Sequence, residues 1–193
     1  MSVQIYLWLV ILSLGLLCNL GLSFVVIRRI NTLSRTPASS GPASLESGVI
    51  APSFYAETLE GSSISLEAFK GRSFALIFFR PSCEPCREEL PSYEAVVDYA
   101  REAGVDLVLV SIADAGETRA FFAETTTKLL VVIAPRTANT LSHDYQIAGT
   151  PTFCLVDAAG QIVTSGYTSD AFGEWRQITR AWRMSRSSLA TAS

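Results

Sequence analysis

Histidine is nearly absent from this chain, with one in 193 residues, and sulfur is scarce, with two methionines and four cysteines. A structural zinc site built on a CxxC pair needs two further ligands, usually a second CxxC or a Cys/His pair. Beyond Cys83 and Cys86 the chain offers only Cys18 in an apolar N-terminal run, Cys154 in a strand candidate and the sole histidine, His143, so zinc is disfavoured. A copper-delivery site is disfavoured too, because it needs a wider cysteine spacing and a histidine ligand. A basic excess is also missing. The formal net charge is −3, and scattered Lys and Arg leave no electrostatic footprint for nucleic acid. No internal repeat is found. Finally, charge is missing altogether from the first 27 residues, since all 18 acidic and 15 basic side chains lie at or after Arg28.

That uncharged start is the first thing the chain does have. Residues 3–27 read VQIYLWLVILSLGLLCNLGLSFVVI, longer than the roughly 20 helical residues that cross about 30 Å of hydrocarbon. The few polar members, Gln4, Ser13, Asn19 and Ser23, are uncharged and can bond within a helix or to a neighbouring one. A cleaved signal peptide would carry a positive start, a shorter apolar run and small residues at the cut; here the start has no Lys or Arg, and Arg28-Arg29 follows the run. A permanent single-pass anchor is expected. Cys18 is not expected to be lipidated, because Leu17 stands where a small residue belongs.

Residues 28–48 turn to Ser, Thr, Pro, Ala and Gly, a composition that reads as a flexible tether. Residues 49–183 form the expected domain, and 184–193 a frayed tail. Within the domain, continuous apolar runs at 74–79, 105–112, 129–134 and 153–156 read as buried strands. Between the first two, Leu90, Tyr93, Val97 and Ala100 recur at helical spacing and Gly104 supplies a stop, which makes one β-α-β unit. Further helices are expected at 116–124 and 138–145. Asp157-Ala158-Ala159-Gly160 reads as a hairpin turn into a strand at 161–164. A last amphipathic helix carries Ala171, Trp175, Ile178 and Trp182 on one side. Strands alternating with helices imply an α/β domain with a mixed sheet covered on both faces.

The sequence Phe78-Phe79-Arg80-Pro81-Ser82-Cys83-Glu84-Pro85-Cys86 places two thiols where a buried strand hands over to a helix. Free N–H groups and the macrodipole at a helix N-terminus favour negative charge, so Cys83 there would be stabilised as the thiolate that attacks disulfides. Two intervening residues let Cys86 reach back and close an intramolecular disulfide. Cys83 is thus the expected attacking thiol and Cys86 the resolving one, with Pro85 tolerated in the first turn. Two inert buried thiols are the bland alternative. Thr150-Pro151 precedes a buried strand, where an X-Pro bond adopts cis at little cost and the Thr150 backbone is free to pair with an extended substrate segment. Glu89 lies one turn beyond Cys86 on the same helical face, where a carboxylate can exchange a proton with the resolving thiol; a solvated surface glutamate is the alternative. Pro91 predicts a kink in that helix.

With Ala51-Pro52-Ser53-Phe54, Leu59-Glu60-Gly61, Phe69-Lys70-Gly71, CEPCREELP at 83–91 and Gly149-Thr150-Pro151 leading into FCLVDAAG, the chain resembles the membrane-tethered, thioredoxin-fold thiol-disulfide oxidoreductases of the TlpA and cytochrome-c-maturation kind. The resemblance implies a thioredoxin fold behind one N-terminal transmembrane helix, Cys83 and Cys86 as the redox pair, Pro151 as the cis-proline and Glu89 as the acidic partner. It implies no bound cofactor. Its partners are protein thiols and disulfides and a membrane electron donor or acceptor. Where that family usually has Trp before its first cysteine, this chain has Arg80-Pro81-Ser82, an entry more similar to the methylamine-utilisation MauD branch. A peroxiredoxin-like peroxidase shares the AP-x-F opening, but Arg80 occupies the place of its Thr or Ser three residues before the cysteine. A non-catalytic tethered binding domain is the other alternative. The positive-inside rule, applied to Arg28, Arg29 and Arg35, points the domain to the cytosol. That rule weakens for long translocated domains, and the resemblance implies the outside, so an extracytoplasmic domain is expected.

Overall fold

The structure, a computed structural model, describes Gln4, residues 45–169 and residues 173–190, with 185–190 described by backbone alone. The expected membrane span (except Gln4), the linker up to residue 44 and residues 191–193 lie outside the described residues. Among the described residues no helix is long and apolar enough to cross a membrane.

The apolar runs form the centre of one seven-stranded sheet. Its strands are β1 (Tyr55–Thr58), β2 (Ser63–Ser65), β3 (Ser73–Phe79), β4 (Val105–Ser111), β5 (Leu130–Ile133), β6 (Thr152–Val156) and β7 (Ile162–Tyr167), in the spatial order β2-β1-β5-β4-β3-β6-β7. β3, β4 and β5 run parallel; β6 and β1 join them antiparallel, and β7 and β2 pair antiparallel with β6 and β1 in turn. The helices are α1 (Glu84–Glu94), α2 (Val97–Glu102), α3 (Ala115–Glu124), α4 (Leu141–Asp144) and α5 (Glu174–Ala190).

Because side chains alternate across a strand, β3 divides its residues between two cores. Phe74, Leu76 and Phe78 join Val108, Val110, Val132, Cys154, Leu141 and Tyr145 on one face. Ala75, Ile77 and Phe79 join Leu109, Val131, Phe153, Cys86, Leu90, Tyr93, Trp175 and Trp182 on the other. The mixed sheet is therefore covered on both faces, as the alternation of elements predicts.

Four local expectations change. The helix expected to run continuously from Leu90 to Ala100 is interrupted at Ala95 and Val96, where the Val96 N–H bonds the Tyr93 carbonyl in a tighter three-residue turn. Pro91 itself sits inside α1, and the break falls one turn further on. The helix expected at 138–145 shrinks to the single turn of α4, because the Asn139 side chain takes over local backbone groups. Its Oδ1 accepts the Leu141 N–H at 2.9 Å and its Nδ2 donates to the Tyr55 carbonyl at 2.9 Å. The last helix continues through Ala190 where a frayed tail is expected from 184; no Gly or Pro after Trp175 stops it. β1 and β2 are additional strands. The hairpin turn is as expected: Asp157 Oδ1 accepts the N–H groups of Ala159 and Gln161, and Gly160 takes φ +78°.

The chain enters the domain alongside β7. Gly48 N–H bonds the Ile162 carbonyl and Ile162 N–H bonds the Val49 carbonyl, both at 2.8 Å, and Ser47 Oγ donates to the Val163 carbonyl.

Candidate active site

β3 ends at Phe79, and Arg80, Pro81 and Ser82 turn the chain into α1, with the Cys83 N–H bonded to the Arg80 carbonyl at 3.0 Å. Cys83 is the N-cap of α1, with extended backbone (φ −86°, ψ 111°) and a carbonyl that accepts the Arg87 N–H. Pro85 falls within the first turn, as expected. The Cys83 sulfur is thus at the helix start, but it makes no side-chain hydrogen bond to the first-turn amides. Its thiol instead donates to the Thr150 carbonyl, with Sγ···O at 3.7 Å.

The two thiols differ in access. Cys83 is half-buried, whereas Cys86 is 0% exposed and packs in the core beside Leu90 and Tyr93. Burial pushes the Cys86 thiol up to about 12, and the adjacent Cys83 thiol acts the same way; hydrogen bonds from the Thr150 side chain and the Arg80 backbone oppose the rise. All three described cysteines are free thiols.

The loop before β6 closes over this pair. The Thr150–Pro151 peptide is cis, Pro151 is buried, and Thr152 Oγ1 donates to the Gly149 carbonyl at 2.7 Å. The Thr168 N–H, just past β7, bonds the Pro151 carbonyl at 3.3 Å. Cys83, Cys86, Thr150 and Pro151 are therefore assembled in one place from two distant stretches of chain.

Glu89 is half-buried and held by partners that sequence reasoning missed. The Tyr93 hydroxyl donates to Glu89 Oε2 at 2.8 Å, the Thr168 hydroxyl donates to the same oxygen, and the Tyr93 and Thr168 hydroxyls lie 2.7 Å apart. Tyr93 is 0% exposed and Thr168 2%. Burial pushes the Tyr93 phenol up, with the Thr168 hydroxyl opposing and the Glu89 charge reinforcing the rise. The four-residue spacing of Glu89 and Tyr93 on one helix was a readable signal. Nothing local in the sequence joins either of them to Thr168.

Two residues fall elsewhere. Cys154 faces the opposite core from Cys86, because its position in β6 alternates with that of Phe153, and burial pushes its thiol up to about 12. His143 is exposed on α4 beside Asp144. Among the described residues no group of three or more His, Cys, Asp and Glu is arranged to hold a metal.

Residues 47–165 match the model of the AhpC/TSA family. Over 136 residues the chain is 28% identical to the thiol-disulfide oxidoreductase ResA of Halalkalibacterium halodurans, covering 69% of this chain and 77% of the relative. It is 30% identical over 123 residues to ResA of Bacillus thuringiensis subsp. konkukian, covering 62% and 68%. A crystal structure described as a thiol:disulfide interchange protein DsbE from Chlorobium tepidum shares the fold, with a TM-score of 0.63 at 24% identity over 72% of this chain and 97% of that one. By that match and that kinship, the chain belongs to the AhpC/TSA family as one of its thioredoxin-like thiol-disulfide oxidoreductases.

Proposed function

We propose that the protein is a membrane-tethered thiol-disulfide oxidoreductase in which Cys83 attacks, Cys86 resolves and Glu89 carries the proton. The observation that carries this reading is the asymmetry of the pair: Cys83 is accessible at the N-cap of α1, its sulfur against the Thr150 carbonyl, while Cys86 is sealed beneath it. An extended substrate segment lies along the Thr150–Pro151 loop and pairs with its backbone. The Cys83 thiolate attacks one sulfur of the substrate disulfide; a Cys83–substrate bond forms, and the other substrate sulfur leaves as a thiolate that takes up a proton. Cys86 then gives its proton to the Glu89 carboxylate and attacks Cys83 Sγ. The second substrate thiolate departs, and two electrons have passed from the pair to the substrate. The reverse sequence oxidises a dithiol, and a membrane donor or acceptor restores the starting state.

Stepwise alkylation tests the assignment of roles. Iodoacetamide at neutral pH is expected to modify Cys83 first. Cys86, wholly buried and with its thiol pushed up to about 12, is expected to stay unmodified at neutral pH until the domain is unfolded. Equal labelling of both thiols at neutral pH, or Cys86 first, overturns the assignment.

The uncharged run at 3–27, followed by Arg28 and Arg29, supports a single-pass anchor, and the family resemblance supports an extracytoplasmic domain. The Arg80-Pro81-Ser82 entry supports a substrate of the methylamine-utilisation kind, an exported enzyme subunit, while the wider family resemblance supports a cytochrome under maturation. A membrane-impermeant maleimide is expected to label the reduced protein in intact cells, and the Cys83→Ser variant is expected to lose that label. Labelling of the wild type only after permeabilisation places the domain in the cytosol instead.

A further inference from the structure

We propose that Thr168 is a positioning residue for the proton-carrying carboxylate: its side chain, together with Tyr93, fixes Glu89, while its backbone ties that carboxylate to the substrate-docking loop. The inference rests on the Proposed function, in which Glu89 accepts the proton of Cys86.

A half-buried glutamate on a helix has three free side-chain torsions and ordinarily samples several rotamers. Here one carboxylate oxygen, Oε2, is met by two hydroxyls from different parts of the fold, Tyr93 on the same helix and Thr168 just past β7. The helix alone fixes the Tyr93 partner. Among the described residues only Thr168 anchors the carboxylate to a second element, and its N–H bonds the Pro151 carbonyl at 3.3 Å. One residue thus joins the group that moves the proton to the loop against which the substrate lies. A buried hydroxyl in need of a single partner would be satisfied by the Tyr93 hydroxyl at 2.7 Å; Thr168 reaches the carboxylate as well.

The proton count of this cluster gives the arrangement chemical content. Three oxygens lie in mutual hydrogen-bond contact, from Glu89, Tyr93 and Thr168, but with Glu89 ionised there are only two hydroxyl protons to share among three contacts. A proton arriving on Oε2 supplies the third, so that each oxygen donates to the next around the ring. The carboxylate can therefore accept the proton of Cys86 with a hydrogen-bond acceptor already in place, and no buried polar group is left unpaired. Behind the ring, Trp175 of α5 packs edge-on against Tyr93, with centroids 5.9 Å apart at 87°, and holds the phenol in register.

The test separates the two steps of exchange in the full-length protein, using a synthetic peptide that contains one disulfide. The first step is read as formation of the Cys83–peptide adduct and the second as its decay, both by acid quench and mass spectrometry. Thr168→Val, which keeps the shape and removes the donor, is expected to slow decay about tenfold or more while adduct formation changes less than about twofold. Thr168→Ser, which restores the hydroxyl, is expected to return decay to within about threefold of wild type. Tyr93→Phe is expected to slow decay in the same direction. If Thr168→Val does not fold, as judged by near-ultraviolet circular dichroism, the contrast between a slowed Tyr93→Phe and a rescued Thr168→Ser carries the test. Wild-type decay in Thr168→Val or Tyr93→Phe alongside slow decay in Glu89→Gln overturns the positioning role and leaves the exchange mechanism standing. Wild-type decay in Glu89→Gln removes the carboxylate from the reaction and overturns both the positioning role and the assignment of Glu89 as the proton carrier.

Discussion

Cys83→Ser is expected to reduce exchange with a disulfide peptide to the uncatalysed rate, whereas Cys86→Ser is expected to form the first adduct normally and then stall. The two outcomes follow from the different positions of the sulfurs. Cys83 is the accessible thiol of the pair, at the N-cap of α1 and beside the Thr150 carbonyl, and a serine hydroxyl there is no nucleophile toward a disulfide. Cys86 is wholly buried and reached by no outside sulfur, so it cannot take over the attack. Its task is intramolecular. Well-aligned groups within one molecule reach effective molarities of about 10⁵–10⁸ M, which a millimolar external thiol does not approach. The Cys86→Ser adduct should therefore persist on a non-reducing gel and carry the peptide mass on Cys83. Retained turnover in Cys83→Ser contradicts the exchange mechanism.

Trp175→Ala is expected to destabilise the domain by about 3–5 kcal/mol, the usual range for truncating a buried tryptophan. Trp175 is 5% exposed and, with Trp182, joins α5 to the core on that face of the sheet. Its ring lies 5.0 Å from Phe153 of β6, 5.9 Å from Tyr93 of α1 and 5.7 Å from Trp182 one turn pair along its own helix. Aromatic pairs of this kind add about 0.5–1.5 kcal/mol each beyond the area they bury. Urea titration followed by far-ultraviolet circular dichroism measures the loss as a lowered midpoint at unchanged slope. A change below about 1 kcal/mol would mean that α5 does not pack as described.

The central strands were legible because they are nearly continuous apolar runs, and β3, β4, β5 and β6 lie where Phe74, Val105, Leu129 and Phe153 mark them. The thiol pair was legible as a spacing at a strand-to-helix junction, and so was its proximity to Thr150 and Pro151. β1 and β2 were not, since Tyr55-Ala-Glu-Thr58 and Ser63-Ile-Ser65 are short and largely polar, and they are strands only because β5 offers β1 an edge and β1 in turn offers one to β2. The break after Glu94 was hidden because Leu90, Tyr93, Val97 and Ala100 keep facing the core on either side of it. Around Glu89, the contribution of Thr168 is a product of topology. It comes from the end of β7, 79 residues along the chain, and no local pattern encodes a partner at that distance.

The approach of the chain along β7 has a consequence for how copies of the domain behave toward one another. A bare outer strand presents unpaired amide and carbonyl groups that another polypeptide can zip onto, which is a common route to fibrils. Here Ser47, Gly48 and Val49 already occupy part of that row on Ile162 and Val163. At the far side of the sheet the outer strand is β2, only three residues long. The domain thus guards one flank with its own leading segment and keeps the other too short to template growth.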